Sequence, residues 1–249
     1  MTGHASTGTV ALTGQTGPQE TEIGRRPIVA IDGPAGAGKS TVARYLSIRF
    51  GLLNLETGAM YRAFALKALG AGVSPDSADA LVALAGTTSI VVEPGDAGNR
   101  VFLDGEEVTS RLRDAAITDG ASRVSVHPRI RAWMVTLQQE LGAQGGIVME
   151  GRDIGTVVFP NADVKIFLDA EPEVRGLRRY DQLGGPNSKP VVQAEEVVRD
   201  LRARDERDRN RADSPLKPAE DSVILDSTEL TLEQVLAEAA AIVEKKIKK

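Results

Sequence analysis

The feature that most constrains this chain is the run GPAGAGKS, Gly33 to Ser40, which matches G-x-x-x-x-G-K-[ST] without a gap. It follows the apolar, β-branched run PIVAID (27–32) directly and opens a helical pattern over 39–50. Strand, glycine loop and helix in that order are the setting in which such a run grips phosphate. Glycines let the backbone close around an anion with its N–H groups turned inward. The following helix adds the positive end of its dipole. The expected nucleotide loop is Gly33, Pro34, Ala35, Gly36, Ala37, Gly38, Lys39, Ser40 and Thr41. Lys39 is placed to reach the β- and γ-phosphates, and the Ser40 hydroxyl to ligate Mg²⁺.

The loop implies a nucleoside triphosphate, ATP or GTP, and leaves the reaction open. A guanine-reading N-K-x-D run is absent. DQLG (181–184) has the spacing of a GTPase switch but follows a helical pattern rather than a strand. KIFLD, ending at Asp169, has the form of a metal-supporting strand, and an acid closing a core strand explains it equally well.

The rest of the chain fits an α/β fold. Near-continuous apolar runs at 52–56, 145–151, 163–169 and 221–226 join 27–32 as strands covered on both faces. Helical patterns fill 58–71, 77–85, 111–123, 128–142, 171–182, 194–212 and 231–247. The alternation predicts a P-loop NTPase core, a five-stranded parallel sheet flanked by helices. Residues 88–108 break it with short runs around Gly, Pro and Asn turns, the pattern of an antiparallel meander. That meander belongs to an insertion over about 70–130. GGPNSKP (184–190) lies between two helices and predicts a mobile lid over about 178–192. Residues 1–24, rich in Gly and Thr, are expected to be a disordered extension, with one folded domain over 25–249.

Composition removes several classes. The chain has no cysteine and only His4 and His127, so thiolate and imidazole metal sites are not expected. The net charge of −5 disfavours a dedicated nucleic-acid binder. No apolar run approaches the ~18 residues of a membrane span. A cytoplasmic monomer acting on small molecules is the expectation.

Further phosphate-compatible groups follow the strands. Thr57 and Arg62 come just after the second strand, Arg152 and Asp153 just after the third. Both pairs thus lie beyond strand carboxyl ends, where open α/β sheets bind ligands. Two such basic residues suggest a second anionic ligand. In RARDERDRNRAD (202–213), a continuous helix puts Arg204, Asp208 and Arg211 on one face, with Arg207 beside it. Arg202, Glu206 and Arg209 face the other way. Solvent-exposed i,i+4 pairs such as Asp205–Arg209 are the bland account of the same run. The like charges Arg207 and Arg211 at i,i+4 fit better around a bound anion.

DGPAGAGKS, ETGAMYR, EGRDIGTVVFP, KIFLDA, RDERDRNR and LDST occur in the order and spacing of bacterial cytidylate kinases, which the chain resembles over 28–245. The resemblance implies Mg²⁺-dependent transfer of the γ-phosphoryl group of ATP to CMP or dCMP. It implies that Thr57, Arg62, Arg152 and Arg211 hold the acceptor phosphate and that Arg204 and Asp208 hold the ribose. Ser122, Arg131 and Asp153 would read cytosine, whose amino donor and ring acceptors suit a carboxylate, a hydroxyl and a guanidinium. Arg178 and Arg179 match the family's lid and, with Arg207, would cover the transferring group. One departure is Glu56, where the family usually has Asp. The rivals are a P-loop kinase of UMP, dTMP or shikimate, and a silent nucleotide-sensing or RNA-binding protein. The cytosine-reading set opposes the first; intact Lys39 and Ser40 oppose the second.

Overall fold

The computed structural model describes residues 26–95, 98–185 and 193–247. The expected N-terminal extension and the 186–192 part of the expected lid lie outside the described residues. The strands are β1 (Arg26–Asp32), β2 (Leu53–Glu56), β3 (Ile90–Glu93), β4 (Arg100–Leu103), β5 (Glu106–Glu107), β6 (Gly145–Gly151), β7 (Val164–Asp169) and β8 (Val223–Asp226). The helices are α1 (Lys39–Phe50), α2 (Thr57–Gly70), α3 (Ala78–Ala85), α4 (Ala115–Val124), α5 (Pro128–Gly142), α6 (Pro172–Gln182), α7 (Ala194–Arg209) and α8 (Leu232–Ile247). A five-stranded sheet runs in the order β2-β6-β1-β7-β8, with β1 parallel to β7 and β7 parallel to β8. A second, three-stranded antiparallel sheet is the meander β3-β4-β5. Among the described residues no helix is long and apolar enough to cross a membrane.

The chain forms two compact units. The first, over Leu53–Gly145, holds the meander, α2 packed on α4, and α5. Its helix starts follow local rules. His127 is the N-cap of α5, with Pro128 at the first turn, where a missing N–H costs nothing. The expected helix over 111–123 is interrupted. A 3₁₀ turn (Thr109–Arg113) ends at Asp114, which is extended and accepts the Ala116 N–H, so α4 starts only at Ala115. Trp133 is half-buried, edge-on to Phe64 at 5.1 Å.

The second unit, over Pro27–Leu52 and Gly146–Lys249, holds the nucleotide-loop elements. Its core joins Val29 and Ile31 of β1, Val148 of β6, Val164, Ile166 and Leu168 of β7, the inner face of α1, and Val235, Ala239 and Val243 of α8. β6 and β7 are buried along nearly their whole length, as strands covered on both faces must be. α1 stops at Gly51, which takes the left-handed conformation at φ 64°. α7 ends earlier than the sequence pattern suggests, at Arg209 rather than 212. Beyond Asn210 the chain doubles back, and the Leu216 N–H donates to the Asp208 carbonyl at 2.8 Å.

Candidate active site

The glycine loop of the second unit has the geometry that its sequence demands. At Gly33, φ is +149° and an added Cβ would lie 1.9 Å from the Leu168 carbonyl oxygen of β7. Only glycine lets β1 turn into the loop this close to its neighbouring strand. Lys39 is buried, and its ammonium donates to the Pro34 carbonyl at 2.7 Å. Gly38, Ser40 and Thr41 are open to solvent. Burial, together with the Arg152 and Arg204 charges, pushes the Lys39 ammonium down to about 7 against the pull of Glu150 and Asp32. An ammonium so strained is one that an incoming polyphosphate relieves.

Ser40 donates its hydroxyl proton to the Glu150 carboxylate at the end of β6. Asp169, the acid that the sequence pattern offered for this place, is turned to the N–H of Ala170 at 2.9 Å. A hydroxyl and a carboxylate are hard oxygen donors and fit Mg²⁺. That ion keeps several waters and takes one or two protein oxygens beside substrate phosphates. Among the described residues, no group of three or more His, Cys, Asp or Glu is placed to hold a metal ion.

Asp32, the last residue of β1, is buried and accepts two backbone N–H bonds, from Ile154 at 2.8 Å and Gly155 at 2.7 Å. Burial pushes its carboxyl up to about 6, against those two bonds and with the help of the neighbouring Asp153 charge. Asp32 thereby ties the start of the glycine loop to the tight turn Ile154–Val158, which follows Arg152 and Asp153. Asp153 itself is buried.

On α7 the charges divide as follows. Asp208 is buried and meets Arg152 Nε at 2.8 Å and Arg211 Nη1 at 3.4 Å. Burial pushes Asp208 up, but Arg152, Arg211 and Arg204 outweigh it and hold the carboxyl below its usual range. Arg211 is not on the helix. It sits just beyond the helix end, buried, with Nη2 on the Ser214 carbonyl at 2.6 Å. Arg211 thus meets Asp208 from beyond the helix end rather than from the helical face the sequence pattern assigns to it. Arg204 and Arg207 are half-buried, while Arg202, Glu206 and Arg209 are exposed, as the register predicts. Asp205 is no exposed partner of Arg209: it is buried and paired with Arg175 at 2.6 Å. Arg178 donates to the Ser227 hydroxyl at 3.0 Å and carbonyl at 2.7 Å, and Arg179 to Gln182 at 3.4 Å.

The first unit carries the remaining candidates. Thr57 is the first residue of α2 and is buried. One turn on, the Arg62 guanidinium folds back over the helix start. Nη2 lies 3.2 Å from Glu56, and Nη1 3.2 Å from where a Cβ on Gly58 would stand. A helix N-terminus, a hydroxyl and a guanidinium make an anion-compatible corner. Asn99, from the turn between β3 and β4, holds the backbone there, accepting the Glu56 N–H at 3.1 Å and donating to the Asn54 carbonyl at 2.7 Å. Ser122 and Arg131 are both buried; Arg131 donates to the Ser125 carbonyl at 3.2 Å and stacks over Tyr61 at 5.8 Å. The Ser122 hydroxyl is buried and has no hydrogen-bond partner among the described residues, an arrangement that costs free energy unless a ligand fills it.

Glu150, Asp32, Asp205, Arg175 and Asn99 were not singled out by sequence reasoning. For Asp32 and Glu150 a signal was present: each is an acid at the carboxyl end of a strand that feeds a glycine turn.

A family model described as cytidylate kinase matches residues 29–245. Cytidylate kinase from Solibacter usitatus is 47% identical over 85% of this chain and 89% of that protein. The Pasteurella multocida cytidylate kinase is 43% identical over 87% of this chain and 95% of its own length. That of Geobacillus thermodenitrificans is 44% identical over 90% of this chain and 99% of its own.

Proposed function

The chain belongs to the cytidylate kinase family, and on that premise we propose that it transfers the γ-phosphoryl group of ATP to CMP or dCMP, yielding ADP and CDP or dCDP. The observation that carries this is the pair of guanidiniums, Arg152 and Arg211, held on the buried Asp208, with Arg152 close enough to depress Lys39. A second cationic centre beside the ATP loop is what a phosphorylated acceptor needs and what a simple ATPase does not.

The acceptor phosphate is already a nucleophile, so the protein need not supply a strong base. Its task is alignment and charge neutralisation. Lys39 and the loop amides take the donor phosphates. Thr57, Arg62, Arg152 and Arg211 take the acceptor phosphate, Arg204 and Asp208 the ribose. Ser122, Arg131 and Asp153 read cytosine. Entry of a phosphate would draw Arg62 from Glu56 and part of the charge of Arg152 and Arg211 from Asp208, leaving Asp208 free to accept a ribose hydroxyl. Ser40, with Glu150 hydrogen-bonded to it, would hold Mg²⁺, which would supply neutralising charge on the phosphates. Arg207, Arg178 and Arg179 are assigned to the transferring group, Arg178 only after it leaves Ser227. A monomer acting on the cytoplasmic nucleotide pool, with no nucleic-acid partner, completes the proposal.

An ADP-release assay over a panel of monophosphates tests it. CMP and dCMP should be turned over well above UMP and AMP, because uracil reverses the donor and acceptor pattern and leaves buried partners unpaired. Equal turnover of UMP, or none with any monophosphate, contradicts it.

A further inference from the structure

The glycine loop is braced from behind by a buried ion pair with no counterpart in the catalytic roles above. Arg175 of α6 is 1% exposed and Asp205 of α7 is 5% exposed. Arg175 Nη1 donates to Asp205 Oδ2 at 2.6 Å and to the Ala35 carbonyl at 2.8 Å, while its Nε donates to the Ala170 carbonyl at 2.7 Å. The other carboxylate oxygen of Asp205 accepts the Ala35 N–H at 3.2 Å. Both polar groups of Ala35 are thus taken by the one pair. Its methyl is buried among Val197, Leu201 and Tyr180 of the same two helices.

The place matters. The Pro34 carbonyl, which receives the Lys39 ammonium, and the Ala35 N–H belong to one peptide, so the brace fixes the peptide that anchors the lysine and, through the Ala35 carbonyl, the one after it. Asp205 lies one residue after Arg204 and three before Asp208, on the helix assigned to the acceptor. Burying two charges is a poor way to gain stability: apolar side chains of similar volume often serve as well or better. What an apolar pair cannot do is dictate the orientation of one peptide and the register of one helix. We propose that Arg175 and Asp205 are positioning residues that hold the phosphate loop and the arginine-bearing end of α7 in a single register. The consequence is that donor and acceptor groups meet in line. The inference rests on the kinase function proposed above and adds two residues to it.

The decisive variant is the double substitution R175M/D205L, which removes both charges together. If the pair serves packing alone, apolar side chains of similar volume should replace it, and this protein should keep both its melting temperature and its activity. The expected result is a melting temperature within a few degrees of the parent and kcat with CMP lowered at least tenfold. KM for ATP and for CMP should change less than threefold, and amide exchange of the loop peptide containing Ala35 should be at least tenfold faster. A melting temperature retained with kcat within twofold and unchanged loop exchange would overturn the proposal. Asp205→Asn guards against a double variant that does not fold. It keeps an acceptor for the Ala35 N–H but not the charge, and at a temperature where it is folded it should show the same kcat loss; wild-type kcat there overturns the proposal. If the wild-type protein turns over no cytidine monophosphate, the kinase function fails, and loop exchange in the two variants still decides the brace.

Discussion

The glycine loop and the charged end of α7 both offer positive charge to phosphate, yet they are built on opposite plans. In the loop the ligand groups are backbone amides and one lysine, and the fold leaves that lysine under strain, depressed to about 7. At the end of α7 the ligand groups are guanidiniums, and two of them are already paired: Asp208 holds Arg152 at 2.8 Å and Arg211 at 3.4 Å. One region is destabilised until an anion arrives; the other is only partly neutralised and must exchange partners. The lesson is that the proposed donor site is set by backbone shape, which tolerates little change. The proposed acceptor site is set by a charge balance, which can be shifted one group at a time.

The largest effect that sharpens this contrast is expected at Gly33→Ala. The added methyl collides with the Leu168 carbonyl and the positive φ is lost, so the loop must move bodily. A misplacement of that order should cost about 10²-fold or more in turnover, and calorimetry should show ATP affinity falling with it.

Asp208→Ala acts on the other plan. It leaves the half-buried Arg152 and the buried Arg211 without their carboxylate, which should cost about 3–5 kcal/mol of stability. Denaturant unfolding measures it. ATP affinity in the folded variant should be largely kept; a variant as stable as the parent would break the charge-balance account.

A middle-sized effect comes from pH. The Lys39 pKa is about 7 in the free protein, below the ordinary 10.5. Bound phosphate raises it again, so above pH 7 the complex holds more protons than the free protein. ATP affinity should therefore be full below pH 7 and decline above it, by at most about tenfold per unit, with net proton uptake on binding. Titrations in buffers of different ionisation enthalpy read that uptake directly. Affinity that rises between pH 7 and 9 would contradict the strained lysine.

The smallest effect is expected at Ser122→Ala. Its hydroxyl is buried and unpartnered, so removal should leave the melting temperature unchanged or slightly raised. If the hydroxyl meets cytosine, KM for CMP should rise roughly 2–12-fold, the value of one neutral hydrogen bond.

The architecture was legible wherever local pattern decides it. The bounds read for α1, α5 and β6 coincide with the structure, because periodic apolar residues sit between glycine and proline signals there. The loop was legible from its glycine motif, and helical register alone separated Arg204 and Asp208 from the exposed Arg202, Glu206 and Arg209. What escaped was set by distant partners. Asp205 has the spacing of a surface i,i+4 pair, and only Arg175, 30 residues earlier, and Ala35, 170 residues earlier, make it a core group. Arg211 was assigned to a helix that stops before it, since helical periodicity carries no mark of a chain that folds back at Asn210. Glu150 was not singled out, because which strand end faces Ser40 depends on sheet order as well as on sequence.

The separation of the two plans is tested most directly by Arg211→Ala, with ATP affinity from calorimetry and the kinetics of CMP phosphorylation measured on the same preparation. The account predicts that kcat/KM for CMP falls by about 10²-fold or more, from a lost charge-assisted phosphate contact and misaligned acceptor, while ATP affinity stays within a factor of about two. An equal loss of ATP affinity, or CMP kinetics like the wild type, would contradict it.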